Sequence, residues 1–142
     1  MSDLAQFKKA YPIEVRFGDL DAMGHVNNAK FLTYLEQARI NYYRDVIDDL
    51  PAFENFQLIL ARVECDFRAP IHYPGTVQVY VRTSRLGSKS FDLEYIIMTD
   101  EGVVAAEAVT VLVCYDYQRG HSIPMPDDWR ARVLQFEPGL NG

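Results

Sequence analysis

Two carboxylates, a histidine and two asparagines lie close together in the segment FGDLDAMGHVNN, residues 17–28. A carboxylate can attack an electrophile or act as a general base, and a histidine can assist by orienting a proton. The segment follows an alternating stretch, YPIEVRF, and precedes a long apolar one, so it is predicted to be a turn between a strand and a helix. Asp19, Asp21 and His25 are therefore the first candidates for chemistry.

Paired aspartates have other uses, which the sequence partly excludes. A calcium loop of the EF-hand type needs Asp or Asn at its fifth position and Glu at its twelfth. Counting from Asp19, these positions hold Met23 and Lys30. A phosphatase with an Asp-x-Asp nucleophile needs a larger, parallel α/β domain. A purely structural use stays open for either aspartate, because a carboxylate near a helix N-terminus is favourable by about 0.3–1 kcal/mol.

A long helix is predicted over residues 28–49. Asn27 or Asn28 can cap it, and Pro51 lies just beyond its end. At about 1.5 Å per residue, the helix would be roughly 33 Å long. Its apolar residues cover more than half of its circumference, which predicts burial on most sides.

The rest of the chain is predicted to be mainly β. Alternating or apolar stretches at 57–68, 77–84, 91–99 and 103–116 are joined in part by the short turns LGSK and DEG, which favours antiparallel neighbours. The last stretch is almost wholly apolar, as in a strand covered on both faces, and residues 125–136 predict a short final helix. The fold class is α+β, with one long central helix wrapped by a curved antiparallel sheet of about five strands.

Composition and charge narrow the classes of function. The chain has 142 residues, the length of one domain, and its net charge of −6 argues against broad nucleic-acid binding. The N-terminus has no apolar core for a signal peptide, and no run approaches the ~20 apolar residues of a membrane helix. Cys65 and Cys114 have neither zinc-site nor disulfide spacing. We expect one cytoplasmic domain over residues 1–142, without metal, membrane or nucleic-acid partner, and with roughly ten flexible N-terminal and six C-terminal residues.

The stretch FGDLDAMGHVNNAKFLTYLEQAR resembles the motif of the hotdog-fold acyl-CoA thioesterases, the 4-hydroxybenzoyl-CoA thioesterase-like family. The shared pattern is an aromatic residue, Asp-x-Asp, a glycine and a long helix with Tyr-Leu-Glu-x-Ala-Arg. DFRAPIHYPGTVQVYVRTSRLGSKSF is similar to two strands of the same family, so the resemblance covers approximately residues 11–120. It implies the hotdog fold and hydrolysis of an acyl-CoA thioester to a free carboxylic acid and coenzyme A.

The resemblance also implies catalytic roles. The second aspartate of the family's pair is catalytic, which corresponds to Asp21 as nucleophile or general base. The backbone N–H of Asn28 is the implied donor to the thioester oxygen, since free N–H groups at a helix N-terminus suit an oxyanion. His25 is an auxiliary candidate or a hydrogen-bonded turn residue. Asp19 is expected to hold the turn through backbone hydrogen bonds, and Asn27 to cap the helix.

Glu36 is the alternative nucleophile, because another branch of the fold has its catalytic carboxylate on this helix. The competing interpretation of Glu36 is an ion pair with Arg39. His72, before Pro74 and Gly75, superficially resembles the histidine of hotdog dehydratases, but the spacing is too tight. The loop at 70–76 is expected to line the pantetheine channel instead.

The hairpin around residues 82–90 carries cations and hydroxyls that suit the phosphates of coenzyme A. A charged edge strand is the alternative interpretation. The candidate substrate-binding residues are Gly24, Val26, His72, Arg82, Arg85, Ser88, Lys89 and Ser90.

Several alternatives stay open in the sequence. A non-catalytic acyl-CoA-binding or sensing module is the second function, although it would not need Asp21 beside free N–H groups. The acyl group, and coenzyme A or acyl carrier protein as its carrier, are undecided. No cofactor is expected beyond the coenzyme A of the substrate. The apolar strands predict a surface that a second copy covers, in a homodimer or homotetramer.

Overall fold

The structure, a computed structural model, describes residues 4–47 and 57–140. Short 3-10 turns occur at Leu4–Gln6 and Phe17–Asp19. The helices and strands in these ranges are β1 (Lys9–Glu14), α1 (Asn28–Val46), β2 (Gln57–Phe67), β3 (Thr76–Leu86), β4 (Ser90–Met98), β5 (Val104–Asp116), β6 (His121–Ser122) and α2 (Asp127–Phe136).

The strands form one antiparallel sheet in the order β1-β3-β4-β5-β2, with the two-residue β6 beside β5. The sheet curls around α1, which confirms the predicted α+β class and the sheet of about five strands. Strand β2 pairs with β5 on one side and lies at the edge of the sheet, with a bulge between Leu60 and Arg62. Its outer edge has no partner strand within the part of the chain that the structure describes.

Helix α1 begins where the sequence predicts. The side-chain oxygen of Asn27 accepts a hydrogen bond from the N–H of Ala29 at 3.0 Å, so Asn27 is the N-cap. The helix ends at Val46, three residues before its predicted end. The last two residues of the predicted helix, and Pro51, lie outside the described residues.

One face of α1 is buried rather than most of its circumference. Tyr34, Leu35 and Ala38 are at most 3% exposed and face the sheet, whereas Leu32 and Ile40 are 41% and 38% exposed. The prediction of burial on most sides is therefore wrong for the single chain. The physical reason is that the sheet curls around one side of the helix and leaves the other open.

Alternate residues of β3, β4 and β5 form the other half of the core. Val79, Leu93 and Cys114 are fully buried. On β5 the intervening Val109 and Val111 are only half-buried, so the prediction that this strand is covered on both faces is wrong for the single chain. Neither α1 nor α2 provides a second layer over that outer face.

Both ends of the described chain contact the sheet. Strand β1 begins at Lys9, two residues before the predicted strand, and the ring of Phe7 packs against that of Tyr80 at 6.1 Å. At the other end, the buried carboxylate of Glu137 accepts hydrogen bonds from the hydroxyl of Tyr42 and the N–H of Thr83, both at 2.8 Å. These contacts lie within the terminal stretches that the sequence predicts to be flexible, and no hydropathy pattern indicates them.

Candidate active site

The turn between β1 and α1 is held by its own backbone. The N–H of Asp21 donates to the carbonyl of His25 at 2.9 Å, and Leu20 forms an antiparallel bridge with Val26. Gly24 has a φ of 83°, a left-handed conformation that glycine adopts without strain, and its N–H donates to the carbonyl of Asp21 at 3.1 Å. The side chains of Asp21 and His25 therefore lie beside the start of α1, while Gly24 shapes the turn.

Asp19 is buried under this turn. Its Oδ2 accepts hydrogen bonds from the N–H of Arg16 at 3.0 Å and from the hydroxyl of Tyr34 at 2.6 Å. Its carbonyl accepts from the N–H of Asn27 at 2.8 Å. Burial, followed by the hydrogen bond to Asp19, raises the pKa of Tyr34 above its ordinary value, so this phenol stays a donor. Asp19 thus connects the turn to α1 and to the residue that caps it.

Asp21 is exposed, in contrast to Asp19. Its Oδ1 accepts a hydrogen bond from the N–H of Met23 at 2.9 Å. Within residues 4–47 and 57–140, its Oδ2 accepts no hydrogen bond. This oxygen is available to a substrate or to water.

The backbone N–H of Asn28 opens the first turn of α1. The N–H groups on either side of it donate to protein oxygens, that of Asn27 to Asp19 and that of Ala29 to Asn27. The N–H of Asn28 donates to no atom of the described residues, as expected for a group at a helix N-terminus. It is therefore a donor without an internal acceptor.

Asp21 and Asn28 line one hollow of about 280 Å³, which we call the Asp21 hollow. The aromatic rings of Phe31 and Phe67 meet edge to face at 5.1 Å, and so join α1 to the end of β2. The complete wall is formed by Asp21, His25, Val26, Asn28, Phe31, Phe67, Arg68, Ala69 and Pro70.

His25 and His72 come together next to this hollow. Their rings meet edge to face at 5.2 Å. The N–H of Val26 donates to the carbonyl of Ile71 at 3.0 Å, which fixes the loop carrying His72 against the turn. The loop at 70–76 thus lies beside the turn, and Pro70 forms part of the wall of the Asp21 hollow.

The hairpin around residues 82–90, with its cations Arg82, Arg85 and Lys89, lies at the end of the sheet opposite the Asp21 hollow. The turn contacts the loop just before Thr76, where β3 begins. At about 3.3 Å per residue, Arg82 lies roughly 20 Å along β3 from that point, and the hairpin turn after Leu86 roughly 33 Å. Arg82 pairs with Glu94 at 3.1 Å and Arg85 with Asp92 at 2.8 Å. The predicted phosphate-binding residues are therefore not brought to the Asp21 hollow of their own chain.

Of the three hairpin cations, Lys89 has no ion pair within the described residues. Ser90 accepts a hydrogen bond from Arg85 at 2.9 Å, while Ser88 and Lys89 are exposed. Because the two arginines face carboxylates across the strands, less positive charge is available to phosphates than the sequence suggests.

Glu36 lies apart from the Asp21 hollow and is not in its wall. Its side chain is 65% exposed, and a carboxylate oxygen lies 4.0 Å from the guanidinium of Arg39. Eight residues of α1, about 12 Å along the axis, separate it from Asn28. The separation favours the ion-pair interpretation of Glu36.

Sequence reasoning missed part of the wall of the hollow. Phe31, Phe67 and Arg68 were not candidates, because their contribution depends on where the end of β2 meets the start of α1. Arg68 carries a positive charge in the wall but pairs with Glu107 at 3.1 Å. The motif DFRAP contains Phe67 and Arg68, but the sequence of the motif did not show which of its residues face the turn.

The described residues contain no group of three or more His, Cys, Asp or Glu side chains placed to hold a metal ion. Neither helix in the described part of the chain is long and apolar enough to cross a membrane.

Known proteins resemble this chain over most of its length. A thioesterase from Thermus thermophilus, solved in complex with coenzyme A and zinc, is 37% identical, with a TM-score of 0.83, over 94% of this chain and 96% of that one. A 1,4-dihydroxy-2-naphthoyl-CoA hydrolase of Gloeothece citriformis is 30% identical over 139 residues, 87% of this chain and 92% of that protein. The long-chain acyl-CoA thioesterase FadM of Escherichia coli is 27% identical over 130 residues, 87% of this chain and 96% of that protein.

The description of the matching protein family agrees with these names. Residues 15–133 match the thioesterase-like superfamily. The match spans the β1–α1 turn, α1, every strand of the sheet except β1, and most of α2. The chain therefore belongs to the thioesterase-like superfamily, has the hotdog fold and is a thioester hydrolase.

Proposed function

We propose that this protein hydrolyses an acyl-CoA thioester to a free carboxylic acid and coenzyme A, with Asp21 as the reacting carboxylate. The observation that carries the proposal is that Asp21 and the start of α1 at Asn28 line the same hollow. A thioester carbonyl placed there has a carboxylate on one side and an unused N–H donor on the other. The relatives from Escherichia coli and Gloeothece citriformis are both named for acyl-CoA substrates.

The reaction needs little beyond these two groups. In the nucleophilic route, a carboxylate oxygen of Asp21 attacks the carbonyl carbon, the C–S bond breaks, and the thiolate of coenzyme A leaves and takes a proton from solvent. Water then cleaves the acyl-aspartyl anhydride, which releases the acid and restores Asp21. In the general-base route, Asp21 takes a proton from water as the water attacks, and the thiolate receives that proton.

The N–H of Asn28 stabilises either transition state. Negative charge develops on the thioester oxygen, and a donor of this kind is worth roughly 2.7–4 kcal/mol. The N-terminal end of the α1 dipole lies at the same position and favours the same charge. His25 is the auxiliary residue of the proposal, because its ring lies in the wall of the hollow beside that of His72.

We further propose that coenzyme A phosphates meet the hairpin of a second copy. The tip of the hairpin in the same chain lies roughly 33 Å along β3 from the loop beside the Asp21 hollow, which is farther than the pantetheine arm extends from a thioester bound there. A homodimer or homotetramer can bring another hairpin there, with Lys89 as the cation that has no carboxylate partner within the described residues. Arg82, Arg85, Ser88 and Ser90 accompany it as candidates.

The open edge of β2 supports an oligomer. Its N–H and C=O groups have no partner strand in the described chain, and Leu60 and Phe67 on it are 44% and 46% exposed. An unpaired edge beside exposed apolar side chains is a ready surface for a second chain. We also propose a cytoplasmic location, because Cys65 and Cys114 are free thiols.

A thiol-release assay tests the activity. The panel includes short, medium, long and aromatic acyl-CoAs, together with the same acyl groups on pantetheine and on acyl carrier protein. We expect release of coenzyme A from at least one class, and slower cleavage of the same acyl group on acyl carrier protein. Release above the uncatalysed rate from none of the acyl-CoAs would contradict the proposal.

Repeated hydrolysis in oxygen-labelled water separates the two routes. Water that attacks the aspartyl carbonyl carbon of the anhydride leaves a label in the carboxylate of Asp21, which only the nucleophilic route can do, whereas the general-base route, like attack on the acyl carbonyl carbon, puts the label in the released acid. Mass spectrometry of the peptide that contains Asp21 reads the difference.

A further inference from the structure

A second hollow lies between α1 and β2, farther from the turn. We call it the Arg39 hollow, and its volume is about 160 Å³. Like the Asp21 hollow, it lies in the crevice between α1 and β2, and Glu36 in its wall is about 12 Å beyond Asn28 along α1. Its wall includes the apolar Leu32, Leu35, Leu60 and Val63 and the charged Glu36 and Arg39.

Arg39 is the unusual member of this wall. Its side chain is 9% exposed, so a charged guanidinium is taken out of water. One hydrogen bond, from Nη1 to the hydroxyl of Tyr95 at 3.2 Å, is formed within the described residues, and the nearest carboxylate oxygen, on Glu36, lies at 4.0 Å. A guanidinium has five N–H donors. Most of the donors of Arg39 are therefore without a protein acceptor in the described part of the chain.

The side chains behind Arg39 fix its position. Tyr95 and Thr110 are 0% and 1% exposed, and their hydroxyls are hydrogen-bonded at 2.7 Å. Because buried donors are costly to leave unpaired, a guanidinium held in this way suits an oxygen atom that enters the hollow from the crevice.

We propose that the Arg39 hollow binds the far end of the acyl group and selects acyl chains that carry a hydroxyl there. This inference rests on the proposed function, because it places the thioester carbonyl at Asn28 and the chain along α1. An extended chain of medium length spans the approximately 12 Å between the two hollows. Leu32, Leu35, Leu60 and Val63 contact its methylene groups.

The charges of the hollow favour a hydroxyl over the other possible ends. A hydroxyl accepts a hydrogen bond from Arg39 and can donate one to Glu36. A carboxylate also accepts from Arg39, but the carboxylate of Glu36 repels it. A methyl end leaves the guanidinium donors without a partner and gains only apolar contact.

The experiment compares kcat/KM for matched acyl-CoAs. Octanoyl-, decanoyl- and dodecanoyl-CoA are assayed beside their ω-hydroxy and ω-carboxy forms. A hydrogen bond to a charged group corresponds to roughly 10- to 100-fold in rate. We expect the wild-type enzyme to prefer the ω-hydroxy form of at least one length by about tenfold or more, and to disfavour the ω-carboxy form.

Variants connect the preference to the hollow. Arg39→Met keeps an apolar side chain of similar reach without donors, and should bring the hydroxy preference close to one. Arg44→Met, the same change at an exposed position of α1, is the control and should keep the preference. Glu36→Gln alters a mostly exposed side chain, so it remains informative if Arg39→Met does not fold. It should raise kcat/KM for the ω-carboxy forms severalfold.

Three results would overturn the inference. Equal rates for hydroxy and plain chains in the wild type would show that the hollow does not select. A hydroxy preference that survives in Arg39→Met would place the selection elsewhere. Dissociation of the Arg39→Met oligomer, with the preference unchanged in the remaining assembly, would show that Arg39 contacts a second copy. In each of these cases, hydrolysis of plain acyl chains still supports the proposed function. Hydrolysis of no acyl-CoA contradicts both the proposed function and the hydroxyl selectivity.

Discussion

Asp19 and Asp21 lie two residues apart and differ in the environment of their carboxylates. Asp19 is 8% exposed and is hydrogen-bonded to Tyr34 and to the backbone of Arg16. Asp21 is exposed and keeps one oxygen without a hydrogen bond within the described residues. A carboxylate that already accepts buried hydrogen bonds is a poor nucleophile, which supports our proposal that Asp21 is the reacting carboxylate.

Replacing Asp21 by Asn tests this assignment. The change is nearly isosteric, and the hydrogen bond from Met23 can still be accepted by the amide oxygen. Loss of the negative charge removes both the nucleophile and the base. We expect kcat to fall by at least about 10²–10⁴-fold, while KM changes by a small factor. Steady-state kinetics with the best acyl-CoA, and circular dichroism of the variant, measure the two effects.

Asp19→Asn is the matched control. It weakens buried hydrogen bonds to Tyr34 and Arg16, so we expect a loss of about 1–3 kcal/mol in the free energy of unfolding. Glu36→Gln is the control for the alternative nucleophile. Near-normal kcat in Asp21→Asn, or a folded Glu36→Gln that loses more turnover than Asp21→Asn, would contradict the assignment.

Cys114 is predicted to be an unreactive thiol. It is fully buried, and burial raises its pKa to about 11, which the positive charge of Arg130 only partly offsets. At pH 8 about one such thiol in a thousand is a thiolate, the reactive form. In Cys65→Ser, which leaves Cys114 alone, we expect labelling by a thiol reagent to be slow at pH 8, to accelerate as the pH rises towards 11, and to become fast in denaturant. Rapid labelling of the native variant at pH 8 would show that Cys114 is accessible.

Spacing alone predicts the residues of the turn, and the different roles of Asp19 and Asp21 were predicted only through the family resemblance. Asp-x-Asp beside a helix start identifies both aspartates as candidates. Which one is buried depends on Tyr34, fifteen residues away, and on how α1 packs on the sheet. Burial of that kind is a tertiary property that local spacing does not encode.

At the scale of the elements, the start of α1 is the best-predicted feature. A short polar side chain before a long apolar stretch predicts an N-cap, and Asn27 caps the helix as expected. The end of α1 is predicted three residues too late, because Pro51 marks a limit and not the last helical residue. Strand pairing decides the remaining contacts, so Phe31 and Phe67 were not predicted to meet.

The cap at Asn27 should matter for both stability and rate. Asn27→Ala removes the acceptor for the N–H of Ala29, so we expect the free energy of unfolding to fall by about 1 kcal/mol. Fraying of the first turn also displaces the N–H of Asn28, so kcat should fall more than KM rises. Asn27→Ser keeps a capping oxygen and should restore most of both. If Asn27→Ala and the wild type have the same kcat, the helix cap does not contribute to catalysis.

In the β3–β4 hairpin, a count of cations in the sequence overestimates the positive charge that is available to phosphates. Arg82 and Arg85 are both cations in the sequence, but the strand register places Glu94 and Asp92 directly opposite them. Arg85 is exposed, and an exposed ion pair such as that of Arg85 with Asp92 contributes about 0–1 kcal/mol to stability. The two pairs also neutralise charge that would otherwise attract phosphates.

Lys89→Gln tests the phosphate contact of the hairpin. We expect a severalfold rise in KM for acyl-CoA at low salt, which shrinks as salt is added, and little change for the same acyl group on pantetheine. Arg85→Gln is the comparison, since Arg85 is already paired with Asp92, and should affect KM less. Equal losses on acyl-CoA and acyl-pantetheine would show that the hairpin acts through structure alone.

The whole molecule leaves two surfaces open in a single chain. One is the outer face of β5, where the valines are half-buried, and the other is the edge of β2 with the exposed Leu32 and Ile40 of α1 beside it. The sequence predicts uncovered apolar surface, because its apolar residues exceed what one helix can bury. Which surface stays open follows from the strand order, which the sequence alone does not give.

We expect the protein to be a dimer or tetramer of its 16.3 kDa chain, with β2 in the interface. A stable interface buries upwards of about 1,000 Å², and a lysine on the apolar side of the β2 edge would place an unpaired charge in it. Leu60→Lys should therefore shift the mass in solution towards the monomer. KM for acyl-CoA should also rise, both because Leu60 lines the Arg39 hollow and because a monomer lacks the partner's hairpin, so the mass in solution is the readout for the interface. Val103→Lys is the control: it alters a similarly exposed apolar residue, 46% against 44% for Leu60, in the turn between β4 and β5, and should leave the oligomer intact.

Small-angle scattering and light scattering at micromolar concentration measure the mass. A wild-type monomer with full activity, or a Leu60→Lys variant with the wild-type mass, would contradict this interface, because a completed active site and a covered β2 edge both require the second copy.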